Sequence, residues 1–146
     1  MSEPRDNTAR LLARGVGRLF KHLGFDSLTE FTLSSGRRVD VVGMNSKGKI
    51  AIAEIKISVA DFRTDQKWRE YMDFCDQFYF AAPLEFPVEI LPKELGLILA
   101  DAYGGEIIRP SKISSKPLHA SRRRELTLRF ARVAASRLRR WEDPPS

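Results

Sequence analysis

Asp40 and the triplet Glu54-Ile55-Lys56 are the residues whose types and spacing support chemistry on a ligand. Glu54 and Lys56 alternate within an apolar run. In a strand they share one face, while Ala53, Ile55 and Ile57 take the other and enter the core. A charged pair in an apolar strand is costly unless a partner or a metal meets it. Two carboxylates brought together repel, and each raises the other's pKa. A hard divalent cation, Mg²⁺ or Mn²⁺, removes that repulsion because it takes carboxylate oxygens and keeps several waters. Such an ion polarises a phosphoryl oxygen and makes water more acidic. A neighbouring lysine supplies charge where the phosphorane becomes more negative, or holds the attacking water. The competing reading is a buried Lys–Glu or Lys–Asp ion pair without a ligand.

The elements around these residues must bring them together. Leu11, Leu12, Val16, Leu19, Phe20 and Leu23 recur at helical spacing, so a helix is predicted over 7–22, with Arg10, Arg14, Arg18 and Lys21 on its other side. Strands follow at 28–33 and 37–44, joined by Ser34-Ser35-Gly36, which suits a type I turn closed by a glycine bulge. That register sets Glu30 opposite Asp40, with Cβ atoms about 5 Å apart. Glu30 thereby becomes a further acid for the ion, or else a cross-strand partner of Arg38 or a solvated residue. A turn at 45–48 leads to a third strand, 50–57. Ser58-Val59-Ala60-Asp61 reads as a capping box. It opens a helix to about Cys75, broken near Thr64, with Trp68, Met72 and Cys75 as its buried stripe. Strands are predicted at 77–82, 95–101 and 106–109, with a proline-punctuated connection over 84–92. Residues 110–118 read as a linker or surface excursion. A long amphipathic helix over 120–141 has Leu126, Phe130, Val133, Leu138 and Trp141 on its apolar side. The fold class is α/β, a mixed sheet flanked by helices. One domain is expected, with a core over 1–118 and a basic helix over 119–146 packed on it.

The chain has 146 residues, 42% hydrophobic and 30% charged, enough for one domain with its own core. Cys75 stands alone, which rules out an internal disulfide and suits a reducing compartment. With no apolar leader or membrane-length run, a cytoplasmic protein is expected and no membrane is involved. His22 and His119 are isolated and lack metal-ligand spacing. The net charge of +6 is unevenly placed: residues 1–109 carry −1, residues 110–141 carry +9, and the tail carries −2. A basic segment on a nearly neutral body favours a polyanion, DNA above all. Arg122, Arg123, Arg124, Arg129 and Arg132 are candidates for phosphate contacts, which give affinity without reading sequence. Arg137, Arg139 and Arg140 extend that face.

Val39-Asp40 with Glu54-Ile55-Lys56 resembles the core motif of the PD-(D/E)XK nuclease superfamily, with Val39 where the namesake has proline. The helix–hairpin–strand–helix–strand order is similar to the restriction-endonuclease-like fold. More narrowly, 36–41, 54–56, 61–62, 65–71 and 75–81 resemble the bacterial MmcB-like DNA repair family. The resemblance implies a DNA-repair role, with phosphodiester hydrolysis inferred from the fold. By motif position, Asp40, Glu54 and the Ile55 carbonyl would hold the metal and Lys56 would be the superfamily lysine. Some relatives place a Gln-x-x-x-Tyr pair on the following helix. Lys67-x-x-x-Tyr71 has that spacing, with Lys67 near the scissile phosphate and Tyr71 ordering the site; Gln66 is one residue out of register. Asp61 and Asp65 read as capping and first-turn residues. Two alternatives stand beside the nuclease: an inactive nuclease-fold module that binds DNA, and a scaffold for other repair proteins. A homodimer is compatible with the fold, but no stretch of sequence marks an interface.

Overall fold

The computed structural model describes residues 3–65, 67–112 and 118–146, with side chains from residue 7 onward. Six strands lie in their order along the chain: β1 (Phe25–Thr32), β2 (Arg38–Asn45), β3 (Ile50–Ile55), β4 (Gln77–Ala82), β5 (Gly96–Ala100) and β6 (Gly105–Arg109). The first three form an antiparallel meander, β3–β4 and β4–β5 are parallel, and β6 returns antiparallel. Three α-helices flank this sheet: α1 (Glu3–His22), α2 (Val59–Thr64) and α3 (Ala120–Glu142). This is a mixed-sheet α/β fold, consistent with a restriction-endonuclease-like architecture.

The two faces of the sheet carry two cores, and β2 changes face at Asp40, which makes no ladder pair with β1, so that Val39 and Val41 enter different ones. Val41, Ala53, Ile55, Tyr79 and Ile98 face α1, whose Leu12, Val16 and Phe20 are buried against them. Leu23, expected on the same stripe, lies just past the helix and is exposed. Gly15 permits the close approach: a Cβ there would stand 1.8 Å from the Asp101 carbonyl oxygen in the β5–β6 turn. Phe31, Val39, Ile52, Phe78 and Phe80 face the opposite layer, which contributes Trp68, Tyr71, Phe74 and Leu126.

That second layer departs from expectation. The helix after β3 does break at Thr64, where Asp65 is extended. It resumes as a 3₁₀ helix, Trp68–Phe74, whose buried residues are Trp68, Tyr71 and Phe74 rather than Trp68, Met72 and Cys75. Three residues per turn place i and i+3 on one face, so the stripe shifts inward by one position. Cys75 is buried all the same, and Met72 packs at the margin.

The first hairpin has the expected form. The Leu33 N–H donates to the Arg37 carbonyl (2.7 Å), the Gly36 N–H donates to the Leu33 carbonyl (2.9 Å), and Gly36 has φ of 89°. No side chain tolerates that conformation as easily as hydrogen.

Helix α3 corrects another expectation. Leu126 is 1% exposed, and Phe130 and Val133 pack on the second core, but Leu138 is 57% and Trp141 85% exposed. Toward the end of this 23-residue helix Arg137 donates to the Glu30 carbonyl (3.0 Å), and the residues after it are exposed. Its first turn is fixed by Arg123, which donates twice to the Asp76 carboxylate (2.7 and 2.8 Å) and once to the Gly48 carbonyl (2.8 Å). Burial alone raises the Asp76 carboxyl, but hydrogen bonds from Arg123 and the Ile50 amide outweigh it and hold it below its ordinary value. The surface excursion expected at 110–118 falls mostly on 113–117, outside the described residues; Ser111 accepts a hydrogen bond from the Phe78 N–H (2.9 Å).

Candidate active site

The β2–β3 ladder runs only as far as Val41 opposite Ala53. Beyond it the two strands part, and carboxylates replace the missing ladder bonds. The Asp40 N–H donates to Glu54 Oε1 (2.8 Å), and the Ile55 N–H donates to Asp40 Oδ2 (2.8 Å). Each acid is thus fixed by the other's strand, and one oxygen of each remains uncommitted to a backbone amide. Glu54 and Lys56 lie together on one side of β3, as alternation requires, while Ala53, Ile55 and Ile57 pack toward α1. Glu54 and Lys56 are the buried charged residues of the described chain.

The pocket around them has a volume of about 370 Å³, lined among others by Asp40, Glu54, Lys56, Asp61, Asp65 and Tyr71. Lys56 Nζ donates to Asp65 Oδ2 at 2.5 Å, in a pair almost closed to solvent. Asp61 completes the expected cap, its N–H donating to Ser58 Oγ (3.0 Å), and its carboxylate accepts from the Ile57 N–H (3.2 Å). Lys67 and Tyr71 both line the pocket, although the intervening turn is 3₁₀. The Tyr71 hydroxyl points to the Arg38 carbonyl at 3.5 Å. Gln66 lies outside the described residues.

Acids crowd this recess, where Asp40, Glu54, Asp61 and Asp65 stand among Arg38, Lys56 and Lys67. Burial first, then the nearby Asp40 carboxylate, pushes Glu54 up to about 9. Asp40 is raised as well, first by burial. Burial, helped by the same carboxylates, pushes Tyr71 up to about 12. Protonation of Glu54 relieves such crowding, and so would a divalent ion. Among the described residues no three His, Cys, Asp or Glu side chains form a group able to hold a metal by themselves. The donor set instead suits an ion that keeps part of its water shell, with two carboxylates and the adjacent Ile55.

Glu30 sits opposite Asp40 in sequence count, between the pairs Thr29–Val41 and Phe31–Val39, as the hairpin loop implies. It makes no ladder pair. Its φ is 49°, a left-handed conformation that turns β1 at this point. Glu30 is exposed and does not line the acidic pocket; it faces an adjoining groove that also reaches Asp40. The five arginines proposed for phosphate contact do not line the acidic pocket either. Arg122 lies over the Phe74 ring and donates to the Asp73 carbonyl, Arg123 is held by Asp76, and Arg129 pairs with Glu125. Arg124 and Arg132 are exposed. Sequence reasoning gave Asp65 only a capping role. Its pairing with Lys56 depends on the helix break at Thr64, which swings it back over the strand.

The family model described as DNA repair protein MmcB-like matches residues 2–145. The chain belongs to the MmcB-like family. The match covers β2 and β3, which carry Asp40 and Glu54, as well as Lys56 just past β3 and helix α3. Among solved structures, the SPO1766 protein of unknown function from Silicibacter pomeroyi is similar over 94% of this chain and 92% of that one, at 44% identity and a TM-score of 0.89. No curated protein matches. Among the described residues no helix is long and apolar enough to cross a membrane.

Proposed function

We propose that this protein is a DNA-repair nuclease that hydrolyses phosphodiester bonds of DNA with Mg²⁺ or Mn²⁺. The observation that carries the proposal is the opening of the β2–β3 ladder at Asp40 and Glu54, where each carboxylate is held by the other's strand. A fold needs no buried, mutually repelling acids at that point; an ion site does. Membership of a family described by DNA repair supports the substrate class.

Asp40, Glu54 and the Ile55 carbonyl would hold the ion, which supplies positive charge beside the scissile phosphate and a more acidic water. Asp40 and Glu54 bind through the oxygens their backbone hydrogen bonds leave over. Lys56 places its ammonium beside the charge that grows on the phosphoryl oxygens. Asp65 keeps that ammonium in place, and Lys67 and Tyr71 close the side of the pocket away from α1.

The tight Lys56–Asp65 pair favours a second reading, in which the lysine is structural and the protein binds DNA without cutting it. Cleavage of a labelled duplex or single strand in Mg²⁺ separates the two. Asp40→Asn and Lys56→Ala should each lower the rate at least about a hundredfold, the usual scale for removing one electrostatic contact to a transition state. Asp40→Asn should also abolish a Mg²⁺-dependent rise in melting temperature. Cleavage by both variants at the wild-type rate ends the catalytic assignment.

A further inference from the structure

The acidic pocket shares Ala9, Arg38, Asp40 and Ile55 with a second groove of about 650 Å³ that runs along α1. Arg10, Ala13, Arg14, Thr29 and Glu30 line the rest of it. The two hollows form one path, with the carboxylates toward one end and arginines toward the other. Ala9 and Ala13 keep it open, since a larger side chain on that side of α1 would fill it. Arg10 and Arg14 are one turn apart, about 6 Å along the helix axis. Both are exposed, and neither makes an ion pair among the described residues. Arg38 is exposed where the hollows meet. Three arginines outweigh Glu30, the one acid of the outer groove besides Asp40.

A polyanion approaching the acidic pocket meets the carboxylates of Asp40 and Asp61, and cations at its mouth offset their charge by holding the flanking phosphates. The arginines of α3 do not line this path, and several are engaged by the protein's own groups, Arg123 by Asp76, Arg129 by Glu125 and Arg137 by the Glu30 carbonyl. We propose that Arg10, Arg14 and Arg38 form a phosphate track along which one nucleic-acid strand runs beside α1 into the Asp40–Glu54 pocket. This assignment rests on reading that pocket as the phosphodiesterase site. It makes α1, rather than the more basic α3, the main strand-binding element.

The test uses the full chain in EDTA, so that binding is read without cleavage, with a fluorescein-labelled oligonucleotide as single strand and as duplex. Arg10→Ala with Arg14→Ala should weaken binding about tenfold or more. The slope of log K against log salt should shrink by about 1.4 for a single strand or about 1.8 for a duplex, the loss of two phosphate contacts. Arg124→Ala with Arg132→Ala removes the same charge from exposed positions and should weaken binding less. Both pairs are exposed and alanine favours helix, so the melts should match wild type. Unchanged binding by the α1 variant, or equal losses from both pairs, overturns the track. Those outcomes alongside Mg²⁺-dependent cleavage by wild type refute the track alone. A wild type that binds through Arg10 and Arg14 but never cleaves refutes the nuclease and leaves the track; a wild type that binds no DNA refutes both.

Discussion

Glu54 carries the sharpest electrostatic conflict in the molecule. Its folded carboxyl keeps a proton up to about pH 9 against an ordinary value of 4.5, because burial and Asp40 disfavour the anion. Between those values the folded state binds more protons than the unfolded state. This group's contribution is therefore complete below 4.5 and is lost as pH rises through about 9. Urea unfolding of the metal-free chain should show stability declining across that window, and Glu54→Gln should flatten the decline. Glu30 is placed differently, exposed and outside the acidic pocket. Its left-handed backbone turns it into the outer groove rather than toward Glu54. Glu30→Gln should therefore leave the Mg²⁺-dependent rise in melting temperature intact and tighten DNA binding by removing a charge from the arginine track. Loss of the Mg²⁺ effect in this variant would return Glu30 to the ion.

Helix α1 is seated by Gly15. The Asp101 carbonyl occupies the space a methyl group would need, and it belongs to a turn whose backbone is itself hydrogen-bonded. Gly15→Ala favours helix locally, yet should destabilise the fold by about 3 kcal/mol, the upper part of the usual overpacking range. Chemical denaturation reads this directly, and a neutral or stabilising result would mean that α1 can slide off the β5–β6 turn. The 3₁₀ helix shows why local sequence misleads here. Trp68, Met72 and Cys75 are a sound α-helical stripe, but the large rings Trp68, Tyr71 and Phe74 bury more area when the turn tightens to three residues.

Viewed whole, the protein places its charge in two separate regions. One is the acidic pocket with its arginine groove; the other is α3, which reaches the first only where Arg137 donates to the Glu30 carbonyl and leaves Leu138 and Trp141 in solvent. Removing residues 138–146 deletes no buried contact among the described residues. It should leave stability within about 0.5 kcal/mol of wild type, as surface changes usually do, and thermal melts of the truncated chain check this. A large loss would show that the last turns of α3 support the fold.

Sequence alone brought out the candidate residues Asp40, Glu54 and Lys56 and much of the frame around them. An apolar strand interrupted at alternate positions by Glu54 and Lys56 places both on one face, because side chains alternate wherever a strand stays regular. The Ser34-Ser35-Gly36 loop sets the count that aligns Glu30 with Asp40, because a three-residue turn with a terminal glycine admits few geometries. Tertiary structure decided what those alignments became. The β2–β3 ladder opens at Asp40, Glu30 turns outward, Asp65 folds back onto Lys56, and Arg10 and Arg14 line the groove that adjoins Asp40. Each outcome depends on contacts between elements far apart in the chain, and no local period or propensity encodes them.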